Sequence, residues 1–160
     1  MKKTLITLLF SFGFLSAQVY NIGDVVADFN DPYCDNGEGT LNLYDYFYED
    51  NGGDQFVIWI NLFTSWWPSC QSEAPITETI YQTYKDQGLI VIGAGFQWNQ
   101  PYSCTEWAST FGITYPMVDD DSQNIWNLFG EGNIPHNVII DHTMTLRSSA
   151  IGFNESAVSN

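Results

Sequence analysis

The order of apolar segments predicts an α/β sandwich, in which strands and helices alternate through the middle of the chain and a hairpin closes it. Two observations carry this expectation. Residues 55–63 form an almost unbroken apolar, β-branched and aromatic run, which suits a strand buried on both faces of a sheet. Residues 137–141 and 145–151 are two further strand-like runs, joined by a short turn at His142 and Thr143.

The first 17 residues hold Lys2 and Lys3, an apolar stretch from Leu5 to Leu15, then Ser16 and Ala17 before Gln18. This is the pattern of a secretory signal peptide, too short in its apolar part to anchor in a bilayer. The expected mature chain is one soluble periplasmic domain, residues 18–160, with no membrane association after cleavage. Past the central strand, Pro68 suits a first helical residue, and Ile76, Ile80 and Tyr84 recur at four-residue spacing, so Cys70 falls in the first turn of a helix. A second apolar strand follows at 89–92, and helices are expected at 105–111 and 124–129, the latter capped by Asp121 and Ser122.

Cleavage would leave two basic residues, Lys85 and Arg147, against 19 acidic ones, a net charge of −17. Such a surface repels phosphate backbones and anionic lipid, which excludes nucleic acid as a partner. It reads as a solvated acidic coat or as a complement to a basic partner. Asp119, Asp120 and Asp121 lack the oxygen spacing, glycine and closing glutamate of a calcium loop, and the two histidines are not close in sequence to a cysteine, so no metal is expected.

Phe63, Trp66, Cys70, Glu73 and Pro75, with Ile134 and Pro135 before the strand ending at Asp141, and Ile22, Gly23, Asp24 and Phe29 near the start, carry a resemblance. Over residues 20–153 the chain resembles the thioredoxin-like superfamily, in particular TlpA-type redoxins and the related alkyl hydroperoxide reductase/thiol-specific antioxidant (AhpC/TSA) family. The resemblance implies a thioredoxin fold: a central mixed β-sheet flanked by helices, with an N-terminal extension. The family's closing helix would be cut short, since only Glu155 to Asn160 remain for it. It also implies thiol-disulfide exchange without a cofactor. The partners would be protein thiols or disulfides, or a peptide bound beside a cis Pro135, and the expected state is a monomer.

One residue departs from the pattern. Where the family carries the first cysteine of Cys-x-x-Cys, this chain has Trp67, followed by Pro68, Ser69 and Cys70. Exchange begins with a thiolate and, in a reductase, ends when a second sulfur displaces the mixed disulfide; an indole does neither. Trp67 reads as a natural loss of catalysis, as the mark of a site in which Cys70 attacks alone, or as a misread cysteine or selenocysteine codon. The helix N-terminus favours a Cys70 thiolate, while burial and Glu73 oppose it. Two functions follow: an oxidoreductase with a degenerate WPSC site acting through Cys70, or a redox-silent binding module using the same groove with Trp66 and Trp67 as anchors, to which Trp98 could add. A one-cysteine peroxidase is a third, weaker reading, because the threonine or serine and the arginine it needs are replaced by Trp67 and Pro135. Cys34 and Cys104 lie outside the motif and suit a structural disulfide, with Cys104 as resolving partner of Cys70 the competing assignment. His136 could reach the thiol, or simply pack. Asn61 stands where cytoplasmic thioredoxins place a buried acid.

Overall fold

In a computed structural model, described here for residues 20–152, seven strands form one mixed sheet in the order β2-β1-β5-β4-β3-β6-β7. The expected signal peptide, and the short closing helix after Gly152, lie outside the described residues. At the centre, β3 (Val57–Thr64) runs parallel to β4 (Leu89–Phe96) and antiparallel to β6 (His136–Ile140). On one side β6 pairs antiparallel with β7 (Leu146–Ile151); on the other β4 pairs parallel with β5 (Met117–Asp119). The N-terminal strands β1 (Asn30–Asp35) and β2 (Thr40–Asn42) extend that second side, with β1 antiparallel to β5.

The two-residue alternation of a strand divides β3 between two cores. Ile58, Ile60 and Leu62 enter one with Val138 and Ile140 of β6, Leu41 and Leu43 from the N-terminal segment, and Phe129. Trp59 and Phe63 enter the other with Cys70, Ala74, Trp98, Trp107, Tyr115 and Ile139. Burial on both faces is why residues 58–63 carry no polar alternation, apart from Asn61.

Helix α1 (Pro68–Tyr84) covers the second core with Cys70, Glu73, Ala74 and Thr77. A 3-10 turn at Lys85–Gln87 and Gly88 at φ 96° end it; the left-handed conformation turns the chain into β4, and a Cβ there would press on the Gln55 carbonyl. Helix α2 (Cys104–Phe111) packs on the same face and starts with a capping box between Ser103 and Glu106. Helix α3 (Trp126–Phe129) is a single turn on the opposite face.

The end of β4, the turn between β6 and β7 and the start of α3 differ from the sequence expectation. β4 continues from the expected end at Ile92 to Phe96, because Gly93 and Gly95 leave room for Tyr115 and Trp98 to lie over the strand. The β6–β7 turn is built by Asp141, whose Oδ1 accepts the backbone N–H of Thr143 and Thr145 and the Thr143 hydroxyl. Neither Asp121 nor Ser122 caps α3: Ile125 is its N-cap residue, and the N–H groups of Ile125 and Trp126 donate to the two carboxylate oxygens of Asp120 at 2.9 and 2.8 Å.

Asp120 is fully buried, and burial outweighs those two hydrogen bonds, pushing its carboxyl up to about 6. A group that holds its proton more tightly folded than unfolded adds stability as pH falls and loses that contribution as pH rises through its folded value. Between pH 7 and pH 5 the protein should therefore gain about 1 kcal/mol of unfolding free energy relative to Asp120→Asn, measured by urea titration of both at each pH.

Candidate functional site

The site is assembled at the C-terminal end of β3 and the N-terminus of α1. The chain leaves β3 through Ser65, whose hydroxyl donates to the carbonyls of Gln97 and Gln100, tying this turn to the loop after β4. Trp67 takes the N-cap position of α1 in an extended conformation, and Pro68 begins the helix. Neither indole of the turn is covered: Trp66 is 41% exposed and Trp67 39%. They pack edge to face with ring centroids 5.4 Å apart, and Trp66 Nε1–H donates to Gln97 Oε1 at 2.8 Å. Trp98 does not join them. It is buried on Phe63 and donates its Nε1–H to Asp119.

Cys70 is 2% exposed, beneath the turn rather than at its mouth. Burial drives its thiol up to about 12, and Glu73 one turn on adds to the effect; hydrogen bonding from the backbone at Thr64 and at Cys70 itself only partly opposes it. The helix N-terminus does not outweigh burial here. Cys34 on β1 and Cys104 at the start of α2 are joined in a disulfide with Cα atoms 6.0 Å apart, which leaves Cys70 without a sulfur partner among the chain's three cysteines.

Behind Cys70 lies a polar network that the sequence reading did not assemble. Glu73 Oε1 accepts from Asn61 Nδ2 and Asn137 Nδ2, both at 2.8 Å. Asn137 Oδ1 accepts from Trp59 Nε1 at 2.7 Å and from Asn61 Nδ2 at 2.9 Å, and Asn137 Nδ2 also donates to the Gly152 carbonyl at 3.0 Å. Both donors and both lone-pair directions of the Asn137 amide are used. Burial raises the Glu73 carboxyl, while the two amides pull it back. The signal available was an asparagine inside each of two otherwise apolar strands; that both meet Glu73 is visible only in three dimensions.

The Ile134–Pro135 bond is cis and Pro135 is buried; Gln100–Pro101, in the loop after β4, is cis as well. His136 does not face the thiol. Its Nε2 meets Ser149 Oγ at 2.8 Å and its ring lies edge-on to Trp126, on the face opposite α1, where burial lowers its pKa. Arg147 pairs with Asp141 at 2.6 Å on the closing hairpin. Along the flank of α1, Pro68, Ser69, Ser72, Glu73 and Ile76 line an open groove of about 360 Å³. No group of three or more His, Cys, Asp or Glu among the described residues is placed to hold a metal.

This arrangement defines a thioredoxin-like protein, and known structures share it. A thiol:disulfide interchange protein of the thioredoxin family from Chlorobium tepidum superposes with a TM-score of 0.68 at 18% identity, over 87% of this chain and 92% of that one. A secreted disulfide oxidoreductase of Mycobacterium tuberculosis gives 0.64 at 12% identity, over 82% and 91%. The sequence model of the AhpC/TSA family matches residues 22–149, so the chain belongs to that family. Among curated relatives, the thiol-disulfide oxidoreductase ResA of Geobacillus kaustophilus is 28% identical over 85 residues, 52% of this chain. The chain spans about half of that relative's length, 48%. No helix among the described residues is long and apolar enough to cross a membrane.

The thiol at about 12 sets a rate. At pH 8 Cys70 should react with a small alkylating reagent on the order of 10³-fold more slowly than an unperturbed cysteine, and at the ordinary rate in denaturant, followed by mass spectrometry.

Proposed function

We propose that this chain is an exported member of the thiol-disulfide oxidoreductase class whose site has lost exchange chemistry, and that it acts as a binding module through the exposed indoles of Trp66 and Trp67 and the groove along the start of α1. The observation that carries this reading is the state of Cys70: buried, held as the neutral thiol, and without a second sulfur to close the cycle. Reduction of a disulfide needs a thiolate to form the mixed disulfide and another thiolate to release the reduced product. In the family pattern the attacking sulfur belongs at position 67, where this chain presents an exposed indole.

The oxidoreductase reading through Cys70 alone is less well supported, because approach to the sulfur requires the turn at 65–69 to open. Cys104 is no resolving partner while it is bonded to Cys34. A peroxidatic role is weaker still, since Arg147 is committed to Asp141 and the other positions hold Trp67 and Pro135. In the binding reading the client is an extended peptide or a protein segment, ordered by Pro135 and packed on the two indoles. Residues 1–17 act as the signal peptide, and the domain of residues 18–160 works outside the cytoplasm as a monomer.

The test is an assay of the wild type and Trp67→Cys side by side. Wild type should neither accelerate dithiol-driven reduction of insulin nor consume peroxide, whereas Trp67→Cys should gain reductase turnover; activity in the wild type abolished by Cys70→Ser would sink the proposal. Export has its own readout: protein recovered from secreting cells should have a mass beginning at Gln18, and a mass retaining Lys2 and Lys3 would contradict it.

A further inference from the structure

We infer that the Trp66–Trp67 pair is a docking face for a cationic segment, an extended stretch of partner polypeptide that lays an arginine or lysine side chain over the indoles. The inference rests on the binding reading above and adds to it the charge of the partner. An exposed indole attracts both apolar groups and cations, and tryptophan is the best aromatic partner for a cation.

Three features favour the cation. First, the pair is presented in a fixed pose: Trp66 is held by Gln97 Oε1, and Gln97, at φ 57°, is held in turn by its N–H to Asp121 Oδ1 at 2.6 Å. A pre-set face gives up little conformational freedom on binding. Second, carboxylates lie directly behind this support. Asp121 is exposed, its N–H donates to Asp119 Oδ1 at 3.2 Å, and Asp119 also receives the Trp98 Nε1–H at 3.0 Å. Third, among the described residues no cation of the chain itself is placed there. Its net charge is −15, and among the described residues Lys85 sits over Tyr81 at the far end of α1 while Arg147 is paired with Asp141. A field of that sign draws a basic segment toward the molecule, and the indoles give it a place to stop.

The experiment titrates the full chain with three capped decapeptides that alternate glycine with arginine, glutamine or leucine, by calorimetry at low and at moderate salt. The arginine peptide should bind about tenfold more tightly than the glutamine peptide, and Trp67→Leu, which keeps apolar area but removes the π face, should cost it about fivefold. Gln97→Ala should weaken it similarly with both indoles present, while Glu49→Gln, remote in the sequence from the turn, should change nothing. Arginine-peptide binding that is unaffected by Trp67→Leu and Trp66→Leu would be general charge attraction and would overturn the inference. Preferential, indole-dependent binding of the leucine peptide would overturn it while leaving the binding module intact. Failure of all three peptides would remove both.

Discussion

The site depends on one buried amide. Asn137 joins β6 to β3 through the indole of Trp59 and the amide of Asn61, joins β6 to α1 through Glu73, and ties down the chain leaving β7 through the Gly152 carbonyl. A carboxyl group and two carboxamides buried together would be costly if any were left unpaired, about 1–3 kcal/mol for each. Pairing offsets that cost and makes the arrangement demanding, since shifting α1 by one turn along the sheet would take Glu73 away from both amides. The network therefore fixes where the N-terminus of α1 sits, and with it the position of Cys70 and of the turn above.

The same burial that encloses the network also raises the thiol. Cys70 and Glu73 share the inner face of α1, each in a medium that disfavours its charged form, and each would make ionisation of the other harder. A reactive thiolate needs solvent or a cation beside it, and neither Lys85 nor Arg147 is near. The disulfide acts elsewhere: joining Cys34 to Cys104, 70 residues apart, it pins the N-terminal hairpin to α2 and, on the chain-entropy account, contributes about 4 kcal/mol by constraining the unfolded chain. Two of the three cysteines thus serve the scaffold, and the third packs in the core.

What could be read from the sequence follows from how local each signal is. β3, α1, β6 and β7 were legible because continuous apolar runs and a four-residue helical repeat are properties of neighbouring residues. The Asn30–Asp35 and Thr40–Asn42 strands were not, since Pro32, short length and weak alternation hide them, and the three-residue β5 has too few positions to show a period. The site divides in the same way. Trp67, Cys70, Glu73 and Pro135 stand at positions that a motif resemblance marks, whereas Asn137 reaches partners 64 to 78 residues away and Gln97 lies in an irregular loop 31 residues from Trp66. Asp121 and Ser122 had the composition of a helix cap, but the buried Asp120 has the geometry.

Position 67 shows how little the fold asks of the outer residue of the motif. The N-cap of α1 makes no side-chain capping hydrogen bond, so the fold asks of this residue only an extended backbone and tolerance of solvent. Trp67 meets both conditions, resting its edge on Trp66 without entering either core. Exchanging a sulfur for an indole there disturbs neither the polar network nor the sheet, whereas the same exchange at Cys70 would have to displace Ala74 and Phe63 from the second core. The outer position of the motif is loosely constrained by the fold and the inner one is held by packing, so the scaffold accepts an aromatic face at the surface without change to the core beneath it.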